Sequence, residues 1–291
     1  MSEFTIRHES QPDPYEVLAS AKDLLGHFGV EEDPAEEPEQ FVAAIKQLDP
    51  RYQGERIESR QALEKDERDW SPETVEVINR TAQALRMVVF DEEGRPGHIE
   101  TPLVGHYDAV IALGGARRSN LDRTRYAVDC LKDPNTTFNH LIVAGSGRPL
   151  RDGEQETETY APGAQDQFDL CVGAAKLVAR ENPGLTVSVS YTAKEKAGTP
   201  DVLATVLADL QKSEIAQYGE SSIAAITTQI YQVSTRMDLE RVAKRFGITD
   251  VYVAGNPSDP ELVAKRTPAT YLSEIVRTLK AAVMLIESEN E

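Results

Sequence analysis

The chain has 291 residues, 40% hydrophobic and 27% charged, which suits one large α/β domain or a core with a helical extension and excludes a wholly disordered chain. With 31 Lys and Arg against 49 Asp and Glu, the net charge of -18 argues against docking on nucleic-acid phosphates or anionic lipid, both of which need clustered cations. Cys130 and Cys171 form no CxxC and share no zinc-type spacing with a histidine, so they read as buried free thiols in a reducing compartment.

The opening MSEFTIRHES lacks the charged-then-apolar pattern of a signal peptide, and no uncharged apolar run reaches the roughly 18 residues of a membrane helix. The expectation is a cytoplasmic protein without membrane insertion. Residues 1–100 read as a helical N-terminal extension. Tyr15 to Phe28 has helical spacing, an acidic proline-containing link spans Glu31 to Glu39, and Phe41 to Leu48 reads as a short helix. Arg51 to Asp69 is highly charged with little apolar periodicity. Ser71-Pro72-Glu73 combines a capping hydroxyl, a first-turn proline and an acid, which predicts a helix running to about Val89. Asp91 to Pro102 reads as a loop.

From about residue 101 onward the pattern is that of a Rossmann-like domain. Apolar runs at 107–113, 140–145, 185–192, 222–228 and 250–255 alternate with helical patterns near 120–132, 165–182, 200–217, 233–246 and 268–288. This alternation predicts an α/β fold, a doubly wound and mainly parallel five-stranded sheet. The alternating LTVSVSYT run (185–192) suits an edge strand. Ligands of such sheets bind beyond the carboxyl ends of the strands, near the switch in strand order.

Four strand-end loops are therefore the candidates. Gly114 and Gly115 allow close backbone approach and unusual dihedrals before a helix N-terminus. Arg117, Arg118, Arg123 and Arg125 cluster there, where cations oppose the helix dipole unless an anion or internal carboxylates such as Asp122 offset them. The second loop carries Gly145, Gly147, Arg148 and Arg151, but Leu150 stands where a dinucleotide fingerprint needs its third glycine. The stretch from Pro149 to Ala164 reads either as a lid or as an ordinary surface loop. The third loop, with Lys194 and Glu195, ends in Thr199-Pro200-Asp201, a helix start in which Thr199 is read first as a cap. The fourth offers Thr228, Gln229, Tyr231 and Gln232, with Arg236 early in the next helix, facing either a ligand or Asp238 or Glu240. The chain has no GxxxxGK[ST], HExxH or GxSxG motif, and none of its five histidines falls in a strand-end loop. Any acid–base group would be a carboxylate, Tyr, Lys or Cys.

The order DAVIALGG, LIVAGSG, GTPDVLATVL and ITTQIYQVSTRMDLERVAKRFGI resembles the YdcF/SanA/ElyC family of domains of unknown function over about 105–285. Gly114 and Gly115 match its first glycine turn, and Gly145 and Gly147 its second. Thr199 matches its middle-helix threonine, while Thr228, Gln229 and Arg236 match its fourth-strand segment. The resemblance implies a Rossmann-like fold with a small-molecule site, closest to the cytosolic YdcF type, for which S-adenosylmethionine or a nucleotide is the implied cofactor. Pro200, Asp201 and Val202 stand where the family has Glu-Asn, and the family histidine is absent, with Tyr231 or Gln232 nearby.

Three functions remain open on the sequence. One is an enzyme or cofactor binder for an anionic, nucleotide-like small molecule. A second is a hydrolase or transferase acting on a phosphorylated sugar or lipid-linked envelope precursor, with Glu154, Glu156 or Asp201 as acid or base. The third is a non-catalytic interaction scaffold.

Overall fold

The computed structural model describes residues 11–29, 69–97, 99, 101–115, 119–150, 160–196, 198–213, 221–257 and 263–290. The predicted helix at Phe41 to Leu48 and the acidic link lie outside them.

The described chain forms helices α1 (Pro14–Ser20), α2 (Lys22–His27) and α3 (Pro72–Ala84), then strands β1 (Val89–Phe90), β2 (Pro96–Gly97), β3 (Gly105–Tyr107) and β4 (Ala109–Leu113). It continues through α4 (Ser119–Cys130), β5 (Thr136–Phe138), β6 (His140–Ser146), α5 (Gln167–Glu181), β7 (Thr186–Thr192) and α6 (Thr199–Lys212). It ends with β8 (Ser222–Thr228), α7 (Gln232–Arg245), β9 (Asp250–Asn256) and α8 (Pro268–Asn290).

The central sheet has five strands in the order β7-β6-β4-β8-β9, and every neighbouring pair is parallel. This is the mixed α/β, Rossmann-like fold expected from the alternation. β7 is an edge strand, as its polar alternation indicated. All five residues of β4 are buried, because the sheet is covered on both faces. On one face Val110, Ala112, Leu141, Ala224 and Ile226 pack with Leu121 and Ala127 of α4 and Leu170, Ala174 and Val178 of α5. On the other, Ile111, Leu113, Ile142, Ile223 and Ala225 pack with Leu203, Val206 and Leu207 of α6 and Leu239, Val242 and Ala243 of α7. The single run expected at 107–113 breaks at Asp108, whose N–H donates to the Ser222 carbonyl and whose carboxylate accepts from the Ser222 N–H, both at 2.9 Å. β3 consequently pairs with β5 in a separate two-stranded parallel ladder.

The chain divides into two compact units. The sheet unit spans Glu100–Thr228 and Asp238–Asn256; the other takes Met1–Ile99, Gln229–Met237 and Pro257–Glu291. The division is thus not a single cut near residue 100, because α8 shares a core with the N-terminal helices. Leu18, Leu24, Ile78, Leu85 and Met87 cluster with Tyr271, Ile275, Leu279 and Ile286. Ser71 caps α3, its hydroxyl accepting from the Thr74 N–H at 3.1 Å, as its sequence indicated. The helix ends at Ala84 rather than near Val89, because Arg86 adopts φ 56° and turns the chain into the β1–β2 hairpin.

Candidate functional site

Counted along the sheet unit, the five strands run in the order 3-2-1-4-5, so the direction of winding reverses between β4 and β8. The carboxyl ends of those two strands carry Leu113-Gly114-Gly115 and Thr227-Thr228. A crevice beyond this reversal is where open α/β sheets take their ligands.

The glycine turn is fastened by three side chains. Asn120, fully buried in the first turn of α4, accepts from the Gly115 N–H at 2.8 Å and donates to the Gly115 carbonyl at 2.9 Å. Gln167, at the start of α5, accepts from the Ser146 N–H and hydroxyl at 3.1 and 2.8 Å and donates to the Gly115 carbonyl at 3.3 Å. Arg123 is 4% exposed; its Nη1 reaches the carbonyls of Leu113 and Gly114 at 2.6 and 2.8 Å, and its Nη2 reaches Thr228 Oγ1 at 2.8 Å. The side chain thus spans the strand-order reversal. Of the four clustered arginines, Arg123 is buried against backbone carbonyls, and Arg125 pairs with Glu181 on the surface at 3.3 Å. Arg117 and Arg118 lie outside the described residues.

Glycine at position 114 is required by packing: a Cβ there would stand 2.8 Å from the Ala144 carbonyl oxygen and 3.2 Å from Cys171 Sγ. Neither Gly114 nor Gly115 has a positive φ, so close approach alone, by the protein's own atoms, explains the pair. Gly145 lies under Cys171 and Gly147 under the Tyr191 ring. Cys171 is fully buried in α5, and burial pushes its thiol up to about 12, so it is no nucleophile at neutral pH. Cys130 is likewise buried and free, its thiol also raised by burial.

At the second loop Arg148 donates from Nη1 to the Pro149 carbonyl, and its own carbonyl accepts from the Gln167 N–H, each at 2.9 Å. Arg151, Glu154 and Glu156 lie outside the described residues. At the third loop the cap of α6 is Gly198, with no side-chain capping bond, so Thr199 is the first helical residue rather than the cap. At the fourth, Thr228 faces Arg123, whereas Gln229 and Arg236 belong to the other unit. The Gln229 amide donates to the Arg86 carbonyl, and Arg236 donates to the carbonyls of Gln11 and Pro12. Both therefore bond to the helical unit's own backbone. Asn120, Ser146 and Gln167, which anchor the turn, carried no sequence signal beyond their position at strand or helix ends. No group of three or more His, Cys, Asp or Glu able to hold a metal occurs among the described residues.

The fold and this strand-end turn define the class: a parallel α/β protein wound in the Rossmann order. No family model matches the chain, and no solved structure matches it. It is similar to uncharacterized proteins of Mycobacterium bovis and Mycobacterium tuberculosis, 34% identical over 77 residues, which is 26% of this chain and 21% of theirs. The chain thus spans about a fifth of the length of these relatives. Among the described residues no helix is long and apolar enough to cross a membrane.

Proposed function

We propose that the sheet unit binds an anionic, nucleotide-like small molecule, such as a nucleotide or S-adenosylmethionine, at the carboxyl ends of β4 and β8. The observation that carries this reading is the reversal of strand order between those strands, with the Gly114-Gly115 turn running from β4 toward the N-terminus of α4. A helix N-terminus offers N–H groups and the positive end of the helix dipole to an anion. Arg117 and Arg118, between the turn and the helix, supply the charge. Arg123, Asn120 and Gln167 hold the turn in place, while Gly147, Arg148 and Thr228 flank it at the neighbouring strand ends. Gln229 and Arg236 have no part in the reading. The resemblance to YdcF-type proteins favours the same ligand class and a cytoplasmic setting. The proposal is one of binding, and no residue is assigned as a catalytic acid or base.

A thermal-shift panel of S-adenosylmethionine, ATP, NAD, UDP-sugars and sugar phosphates tests it. A ligand at 100 times its dissociation constant stabilises a protein by about 2.7 kcal/mol. The expected result is one class of hit whose affinity, measured by calorimetry, falls at least tenfold in the Arg117→Ala/Arg118→Ala variant. Silence across the panel, or a hit whose affinity the double variant leaves unchanged, overturns the reading.

A further inference from the structure

β7 is a seven-residue edge strand that, among the described residues, carries no charge, proline or bulge to guard its free side. Edge strands are ordinarily shielded by charges, prolines, bulges or brevity. Thr186-Val187-Ser188-Val189-Ser190-Tyr191-Thr192 has no charge and no proline, and it pairs with β6 through all seven residues without a bulge. Among the described residues no segment pairs with its other side. Val189 and Tyr191 are 40% and 51% exposed, two of the most exposed large hydrophobic side chains among the described residues.

Two alternations define what the edge offers. Thr186 donates its N–H to Asn139 on the β6 side, and Thr192 accepts from Gly147 on that side. In a parallel ladder the intervening residues Val187, Val189 and Tyr191 therefore turn their N–H and C=O groups outward. The same three side chains lie on the α5 face, where Val187 packs beside Cys171 and Ala175 and Tyr191 meets Phe168 edge-on at 5.0 Å. On the opposite face Ser190 bonds to Asp209 of α6 at 3.2 Å.

The strand is also close to a palindrome about Val189. Laid antiparallel on a copy of itself, it places Thr186 opposite Thr192, Val187 opposite Tyr191, Ser188 opposite Ser190, and Val189 opposite Val189. Every outward-turned backbone group then meets its complement, and the Val and Tyr side chains pair on one face. Charge favours the same arrangement. A chain of net charge -18 repels its own copy, so two copies meet best along a strip without charge.

From this we propose that β7 is the interface of a homodimer, in which two copies pair antiparallel about a two-fold axis at Val189 to make one continuous ten-stranded sheet. The contact is isologous, as closed two-fold symmetry demands.

The test is the mass of the full chain in solution, by light scattering behind size exclusion. The wild type is expected to run as a dimer. Val189→Lys sets two ammonium groups against each other across the axis and is expected to run as a monomer with an unchanged circular-dichroism spectrum, while Val189→Thr stays dimeric. Val189→Cys is expected to link covalently to its copy under mild oxidation, because directly opposed antiparallel residues lie within disulfide reach, about 5.5 Å between Cα atoms. Thr186→Cys, which faces Thr192, is expected not to link. A monomeric wild type at high micromolar concentration overturns the proposal, as does a dimer that survives Val189→Lys or a Val189→Cys variant that never links.

Discussion

Arg123 and Thr228 lie 105 positions apart in sequence, yet Nη2 of one donates to Oγ1 of the other at 2.8 Å, across the point where the sheet reverses its winding. The same guanidinium satisfies the last carbonyl of β4 and the carbonyl of Gly114. One buried cation thereby fixes the glycine turn relative to the end of β8, which makes Arg123 a positioning residue for any ligand held there.

Replacing it by a side chain of similar length without donors, Arg123→Met, leaves the Leu113 and Gly114 carbonyls and the Thr228 hydroxyl short of a donor. The buried Leu113 carbonyl so abandoned costs about 1–3 kcal/mol, and the half-buried Gly114 carbonyl and Thr228 hydroxyl cost less each. Arg123→Met is expected to lose several kcal/mol in urea denaturation. Thr228→Val removes one neutral acceptor and is expected to lose only about 1–2 kcal/mol. Equal losses for the two would show that the bond to Thr228, rather than the pair of backbone carbonyls, is the main anchor.

Gly145 and Cys171 form a second constraint under the same turn. A Cβ on Gly145 would stand 2.6 Å from Cys171 Sγ. Gly145→Ala is expected to destabilise by about 1–3 kcal/mol through overpacking. Cys171→Ala removes the sulfur, so the double variant is expected to recover part of that loss, a non-additivity of at least about 0.5 kcal/mol in a double-mutant cycle. Strict additivity would mean that the Cys171 sulfur is not what opposes the added methyl, since the next nearest atoms stand at an ordinary contact distance of 3.6 Å.

How much of this was legible in the sequence depended on whether the signal was local. The five strands were readable because strands buried on both faces appear as unbroken apolar runs, and Thr186 to Thr192 betrayed its edge position by alternating. The break at Asp108 was not readable, since it depends on a two-way bond to Ser222 far along the chain. The end of α3 was missed because Leu85, Met87 and Val88 prolong the apolar pattern past a turn that only the backbone at Arg86 reveals. At the site, glycines and arginines drew attention by type. Type alone did not distinguish Arg123, buried on carbonyls, from Arg125, paired on the surface, nor foresee that Arg236 would be spent on the backbone of Gln11 and Pro12.

Arg86 itself makes a prediction about stability. It is exposed, holds φ 56° just beyond the end of α3, and is followed by a Met87 N–H that returns to the Ala82 carbonyl at 2.9 Å. This closure favours glycine, because a Cβ in the left-handed region costs roughly 1–2 kcal/mol. Glycine's greater freedom in the unfolded chain cancels about 0.4–1 kcal/mol of that gain. Arg86→Gly is expected to stabilise the protein by roughly 0.5–1 kcal/mol, seen as a higher denaturation midpoint at unchanged slope. Its carbonyl would still accept from Gln229, so a loss of stability would mean that the arginine side chain makes a contribution of its own.

His140 opens β6 and shares a 2.7 Å hydrogen bond with Ser188. Burial lowers its pKa below the ordinary 6.5, because the charged ring is poorly solvated there. The folded state therefore binds the proton less readily than the unfolded one. Above 6.5 the ring is neutral in both states and costs nothing. As pH falls below that value the unfolded chain takes up a proton first, and stability declines until the folded ring is protonated too. Unfolding free energy measured between pH 7 and pH 5 is expected to fall more steeply for the wild type than for His140→Gln, which keeps a polar group beside Ser188 without the titration. Parallel curves for the two proteins would assign the acid sensitivity of this chain to other groups.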